Sequence, residues 1–242
     1  MSRAGGRVLA VIAIVLALLV PILAAVYIAG REAEQAEIER TARYARDVLA
    51  RSETLSDQIE TGFVALAGLR GTNPCAPEAV SVMRRVDLAS SYIQAVGYVE
   101  NERIVCSSLG TDRDALDIGP VDLVQPSGVN LRLSVAFPFA KDVPFIVLER
   151  DGFAAIIHKS LPIDATTADE RVSLALVSTA GPTILTARND IDPAWLNAVD
   201  TQSERAFVDA THVVSIAPSR RFHVAAIAAE PVELMRESAM QT

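Results

Sequence analysis

Residues 93–107, IQAVGYVENERIVCS, decide the fold class. β-Branched and aromatic residues crowd Ile93–Glu100 and Arg103–Ser107, with only Asn101-Glu102 between the two runs. That is the sequence form of a hairpin with a very tight turn. The same texture continues downstream. Leu131–Phe137, Phe145–Arg150, Phe153–His158, Ser173–Ser178, Val213–Ile216 and Phe222–Ala229 read as strands, and Asp151-Gly152 is a strong two-residue hairpin signal. Asp192-Pro193 starts a short helix carrying the single tryptophan, Trp195.

Upstream of the hairpin the pattern is helical. Pro77 suits the first turn of a helix from Pro77 to about Ser90, with Glu78 near its positive end. Gly71-Thr72-Asn73-Pro74 separates it from an earlier, longer helix spanning Glu32 to about Leu69. On that helix apolar or small residues recur at Ile38, Ala42, Ala45, Leu49, Leu55, Ile59, Phe63 and Leu66, with one longer gap over the polar Arg51-Ser52 stretch. Glu39, Arg40, Arg43, Arg46 and Asp47 mark a charged outer face. The stripe can pack on its own domain or form part of a dimeric coiled coil, which the polar Ser52 and Ser56 weaken. Long helices followed by short antiparallel strands give an α+β domain, and the element order is similar to that of PAS-like sensor modules.

Before Glu32, Val8 to Ile28 (VLAVIAIVLALLVPILAAVYI) holds no charge and is long enough to cross a bilayer, which takes about 20 residues. Pro21 is tolerated there. Arg3 and Arg7 precede it, and positive flanking charge predicts a cytoplasmic N-terminus with the rest outside. A cleaved secretory signal has a shorter apolar core, of about 7–15 residues. The predicted layout is a cytoplasmic tail over 1–7, a transmembrane helix over 8–28, a sensor-like domain over 29–231 and a tail over 232–242.

Composition narrows the function. Setting aside Arg3 and Arg7 leaves 20 of the 22 basic residues against 30 acidic ones, a formal charge of −10 for the exposed part. So acidic a domain, with aromatics at only 5%, is ill suited to binding nucleic acid. Asp112, Asp114 and Asp117 superficially suggest a calcium loop, but the required glycine and distal glutamate are missing. His158, His212 and His223 are scattered and read as strand residues. No nucleophile elbow or phosphate loop occurs, and no cofactor or metal is expected.

Two cysteines remain, Cys75 and Cys106. Both follow the predicted anchor and face an oxidising compartment, where an even count fits one disulfide. A ring of this span adds about 3.7 kcal/mol of stability by loop-closure entropy. The bridge is either a permanent staple or a reversible reporter. A helix N-terminus beside Cys75 favours the second, because it lowers thiol pKa.

These cysteines lie in segments that resemble a known family. Asn73-Pro74-Cys75-Ala76-Pro77-Glu78, then Ser91–Tyr98 (SYIQAVGY), then Cys106-Ser107-Ser108-Leu109-Gly110 are similar to the CSS-motif sensor domain. That domain forms the periplasmic half of bacterial cyclic-di-GMP phosphodiesterases with a C-terminal EAL domain. The likeness runs from roughly Gly5 to Pro231. It implies an inner-membrane protein with a periplasmic domain, in which Cys106 pairs with Cys75. The oxidised domain then restrains the phosphodiesterase, and reduction by periplasmic thiol-disulfide oxidoreductases favours activity. The family places a second membrane helix and the EAL domain after the sensor. This sequence reaches Thr242 with neither and contains no Glu-Ala-Leu triplet, so catalysis is not expected from these residues. Two other readings keep the disulfide purely structural. One is a small-ligand sensor with a pocket at Arg132, Arg150 and His158. The other is an envelope interaction module that dimerises through helix 32–69.

Overall fold

The structure is a computed structural model that describes residues 3–110 and 115–234. The predicted tails therefore lie partly outside the described residues, and Asp112 and Asp114 lie wholly outside them.

One helix, α1 (Arg3–Ala67), runs unbroken for 65 residues, with Pro21 inside it. From Leu16 onward it contains a stretch apolar enough to cross a membrane, with mean hydropathy 1.7 and none of that window buried in the protein. A second helix, α2 (Pro77–Ala89), follows the break. The strands are β1 (Ile93–Glu100), β2 (Arg103–Ser107), β3 (Leu116–Asp117), β4 (Leu123–Val124), β5 (Asn130–Phe137), β6 (Ala140–Arg150) and β7 (Phe153–His158). Beyond a 3-10 turn at Leu161–Ile163 come β8 (Ser173–Ser178), β9 (Ile184–Arg188), helix α3 (Pro193–Leu196), β10 (Arg205–Val208), β11 (His212–Pro218) and β12 (Val224–Pro231).

Both predicted hairpins are present, for the expected reason. Asn101 and Glu102 take φ of 51° and 61°, and Asp151 and Gly152 take 55° and 81°. Two consecutive left-handed residues make the turn whose twist matches paired strands. The registers agree, with Glu100 opposite Arg103 and Arg150 opposite Phe153.

The strands form two sheets where one was expected. A seven-stranded sheet has the order β3-β2-β1-β7-β6-β5-β4, and a five-stranded one the order β10-β11-β12-β8-β9. Every pairing is antiparallel. β12 starts at Val224 and not at Phe222, because the Ser219 hydroxyl accepts the backbone N–H groups of Arg221 and Phe222 and holds them in a turn. β6 reaches back to Ala140, beyond the expected start at Phe145.

The apolar core runs through both sheets beneath α1. Helix α1 packs on β11, β12 and β8 and also meets α2 and β7. The buried line along α1 is Glu37, Thr41, Ala45, Val48, Ser52, Leu55, Ile59, Phe63 and Leu66. Their spacing of three and four never lapses. Ser52, read from sequence as a polar interruption, is 2% exposed, whereas Ile38, Ala42 and Leu49 sit on the flank. Small residues let helix and sheet approach closely, and that shifts the buried stripe by one position.

Candidate functional site: a disulfide that pins a helix to a sheet edge

The Asn73–Pro77 turn orients Cys75. Its backbone N–H donates to Asn73 Oδ1 at 3.0 Å, and Pro77 then starts α2. The inward face of α2 carries Ala79, Val80 and Met83 and rests on β1 and β2. Cys106 lies on β2 opposite Tyr98. Its sulfur bonds to that of Cys75 with the Cα atoms 5.6 Å apart, inside the range a disulfide accepts. Cys106 is 2% exposed, while Cys75 is half-buried. The two cysteines therefore differ in burial.

Gly97, beside Tyr98, belongs to this geometry. A Cβ there would stand 2.7 Å from Ile104 Cγ2 and 3.2 Å from the Cys106 carbonyl oxygen, so only glycine lets β2 close against β1 at the cysteine.

The two serines after Cys106 complete the attachment. Ser107 N–H donates to the Gly110 carbonyl and Gly110 N–H to the Ser107 carbonyl, each at 3.0 Å. This closes a tight turn with Leu109 exposed at its tip. Ser108 is the hub. Its hydroxyl donates to Asp87 Oδ2 at 2.8 Å and accepts from Val96 N–H at 3.1 Å. Its own N–H donates to the Val96 carbonyl at 2.7 Å, and its carbonyl accepts from Arg84 Nε at 2.9 Å. Arg84 and Asp87 both belong to α2. Sequence reasoning missed them because a charged pair on a short helix reads as a solvated face; the serine doublet opposite them was the available signal.

The far end of α2 is fastened to α1. Gln58 Oε1 accepts from the Ser90 hydroxyl at 2.5 Å and from Ser91 N–H at 3.2 Å. Gly62 presses so closely on α2 that a Cβ would come within 2.8 Å of Val86 Cγ1. Helix α2 is thus a strut from the disulfide to α1, tied covalently at one end and by hydrogen bonds along its length.

The other nominated residues sit elsewhere. Arg132 is 3% exposed and held by its neighbours, giving Nη1 to Glu149 Oε2 and Nε to the Gly119 carbonyl, each at 2.7 Å. His158 shares its Nδ1 with the Ser160 hydroxyl. Arg150 alone of the three lines a cavity, of about 350 Å³, between the sheets and α1. His212 meets Thr211 through Nδ1 and Trp195 edge-on, and His223 lies exposed at the cavity rim. Asp117 accepts from Gly119 N–H in a turn. Among the described residues no three His, Cys, Asp or Glu side chains gather where a metal could be held.

A carboxylate cluster sits at the opposite end of the domain. Glu230 of β12 accepts from the Thr41 hydroxyl at 3.3 Å and from Arg40 at 3.4 Å, while Arg40 also reaches Glu37 at 2.8 Å. Burial, and then the nearby Glu37 charge, push the Glu230 carboxyl above its ordinary value.

A family model described as "CSS motif domain associated with EAL" matches residues 37–234. No curated protein matches the chain. Among solved structures, the extracellular domain of a histidine kinase, rpHK1S-Z16, is 13% identical, with 82% of this chain and 95% of that one covered and a TM-score of 0.55. The sensory domain of the Campylobacter jejuni chemoreceptor Tlp3, with isoleucine bound, is 11% identical over 86% and 98%, with a TM-score of 0.51. An extracellular ligand binding receptor from Desulfohalobium retbaense is 12% identical with a TM-score of 0.51, over 77% of this chain and only 39% of the receptor. At such identities these likenesses describe the fold alone.

Proposed function

This chain belongs to the CSS-motif family of EAL-associated domains, and on that premise we propose that it is a periplasmic redox sensor whose Cys75–Cys106 bridge restrains an attached or partner EAL cyclic-di-GMP phosphodiesterase. Val8–Ile28 anchors it in the inner membrane with the N-terminus in the cytoplasm. The observation that carries the reading is the placement of the bridge, which joins a short amphipathic helix to strand β2 and leaves one of the two cysteines half-buried. A purely structural staple gains nothing from that asymmetry.

The chemistry follows from the unequal burial. A thiolate of a periplasmic dithiol oxidoreductase attacks Cys75 Sγ, on the less buried cysteine. The Sγ–Sγ bond breaks, Cys106 leaves with the electron pair and takes a proton, and a mixed disulfide forms at Cys75. The second thiol of the reductant then attacks its own sulfur in that mixed disulfide. Cys75 departs as a thiolate, which the N-terminus of α2 stabilises. Two electrons pass to the domain, and the reductant ends as a disulfide. Freed at its covalent end, α2 is held by its hydrogen bonds to Ser108 and Gln58 and by its apolar face, and a shift of α2 against α1 carries the change toward the membrane.

Alkylation trapping of the full chain in membranes, across a series of glutathione redox buffers, tests the first half. The expected result is a reversible thiol population in the native fold, and a bridge that opens only on denaturation overturns the reading. For the second half, intracellular cyclic-di-GMP is measured with Cys106→Ser, which should lower it as reduction does. An unchanged level would leave the bridge as a staple.

A further inference from the structure

The cavity at the seam of the two sheets carries a separate conclusion, independent of the redox reading. Packed interiors hold few voids larger than a water molecule. Here about 350 Å³ lies open between α1, the inner faces of both sheets and the loop before β5, within the size range of small-molecule pockets. Its walls are apolar, built from residues such as Phe63, Leu131, Ile146, Leu148 and Leu176.

Helix α1 makes the space. Ser52 and Ser56 face it at positions where an apolar stripe would otherwise place bulk. Ser52 is 2% exposed, and its hydroxyl has no protein hydrogen bond among the described residues. The contrast on the same helix is direct: Thr41, Thr54 and Thr61 each donate to the carbonyl four residues back. A hydroxyl that forgoes that bond and lines the cavity is left open to a group bound there.

The rim supplies charge. The Arg150 guanidinium lies 4.7 Å over the Phe63 ring and gives one nitrogen, Nη2, to Glu60 at 2.8 Å. Its Nη1 and Nε have no protein partner among the described residues. Arg221, paired with Asp57, and His223 line the same rim. Each guanidinium faces one carboxylate, Arg150 with Glu60 and Arg221 with Asp57; the donors that Arg150 leaves over favour a carboxylate head, and the walls favour an apolar body.

We propose that this cavity is a binding site for a small organic carboxylate with an apolar body, its carboxylate on Arg150 and its body along the walls beside Ser52. Such a ligand touches α1 and both sheets at once and so fixes their relative position.

The test uses the full chain in nanodiscs of zwitterionic lipid, with 3-phenylpropionate as probe and 3-phenylpropanol as the uncharged control. Hydrogen exchange read by mass spectrometry reports locally and so separates binding from partition into lipid. Saturable slowing of exchange is expected in residues 48–63 and 125–131, with the alcohol at least about tenfold weaker. Arg150→Gln should weaken the acid about tenfold, and Ser52→Leu, which fills the space, should abolish the effect. Where Ser52→Leu does not fold, Ser56→Val replaces it. No protection by the acid, equal protection by the alcohol, or protection that survives filling of the cavity would each overturn the proposal.

Discussion

The two ends of the domain are held together by different chemistry. At the end nearer the apolar segment, β12 is held through Arg40 and Thr41 on Glu230, with Glu37 close by. At the far end a covalent bond and the Ser108 hub hold α2 against β1 and β2. One attachment centres on a carboxylate and the other on a disulfide.

The largest expected effect breaks the covalent end. Replacing both cysteines with alanine should cost up to about 3.7 kcal/mol by loop-closure entropy, read as a lower denaturant midpoint. Hydrogen exchange should quicken in α2 and the β1–β2 hairpin while β11 and β12 keep their protection. Equal loosening of both ends would show that they are not separate. Next comes Ser108→Ala, which leaves Asp87 and the Val96 N–H without a partner. About 1–3 kcal/mol is expected, together with faster thiol trapping at Cys75, because the strut is then held by less.

The acidic end should show a pH signature of opposite sign to that of most carboxylates. Glu230 has a raised folded-state pKa, so the folded protein binds this proton more tightly than the unfolded chain. Its penalty is complete at high pH and is relieved as pH falls through the folded value toward the ordinary 4.5. Glu230→Gln should therefore raise stability at neutral pH and flatten this part of the pH profile, as followed by thermal melts from pH 8 to 5. A profile unchanged in the variant would remove Glu230 as its source. The smallest effect belongs to Arg46, whose contacts with Glu39 and Glu204 are exposed. Arg46→Ala should change stability by about 0.5 kcal/mol or less.

The same contrast explains what the sequence made legible. The hairpins were readable because Asn101-Glu102 and Asp151-Gly152 encode their turns within two residues. Cys75 and Cys106 were readable because oxidising chemistry leaves two cysteines few alternatives. Strand β9 and the two-residue strands β3 and β4 were not, since they exist only by pairing with partners elsewhere in the chain. Nor was the division into two sheets, which depends on β1 choosing β7 and β12 choosing β8 across long intervals. The buried line through Glu37, Thr41 and Ser52 escaped for a different reason. Polar residues at helical spacing read as a solvent face unless their distant partners, such as Glu230, are known.

The unbroken course of α1 sets a stand-off distance. At 1.5 Å per residue, Ile28 and Ala67 are about 58 Å apart along the axis, and Cys75 lies just past that outer tip. With Val8–Ile28 in the bilayer, the bridge stands far outside the lipid surface. On the proposed redox reading, an electron donor embedded in that membrane cannot touch it without a comparable projection of its own, and the donor required is therefore a soluble carrier.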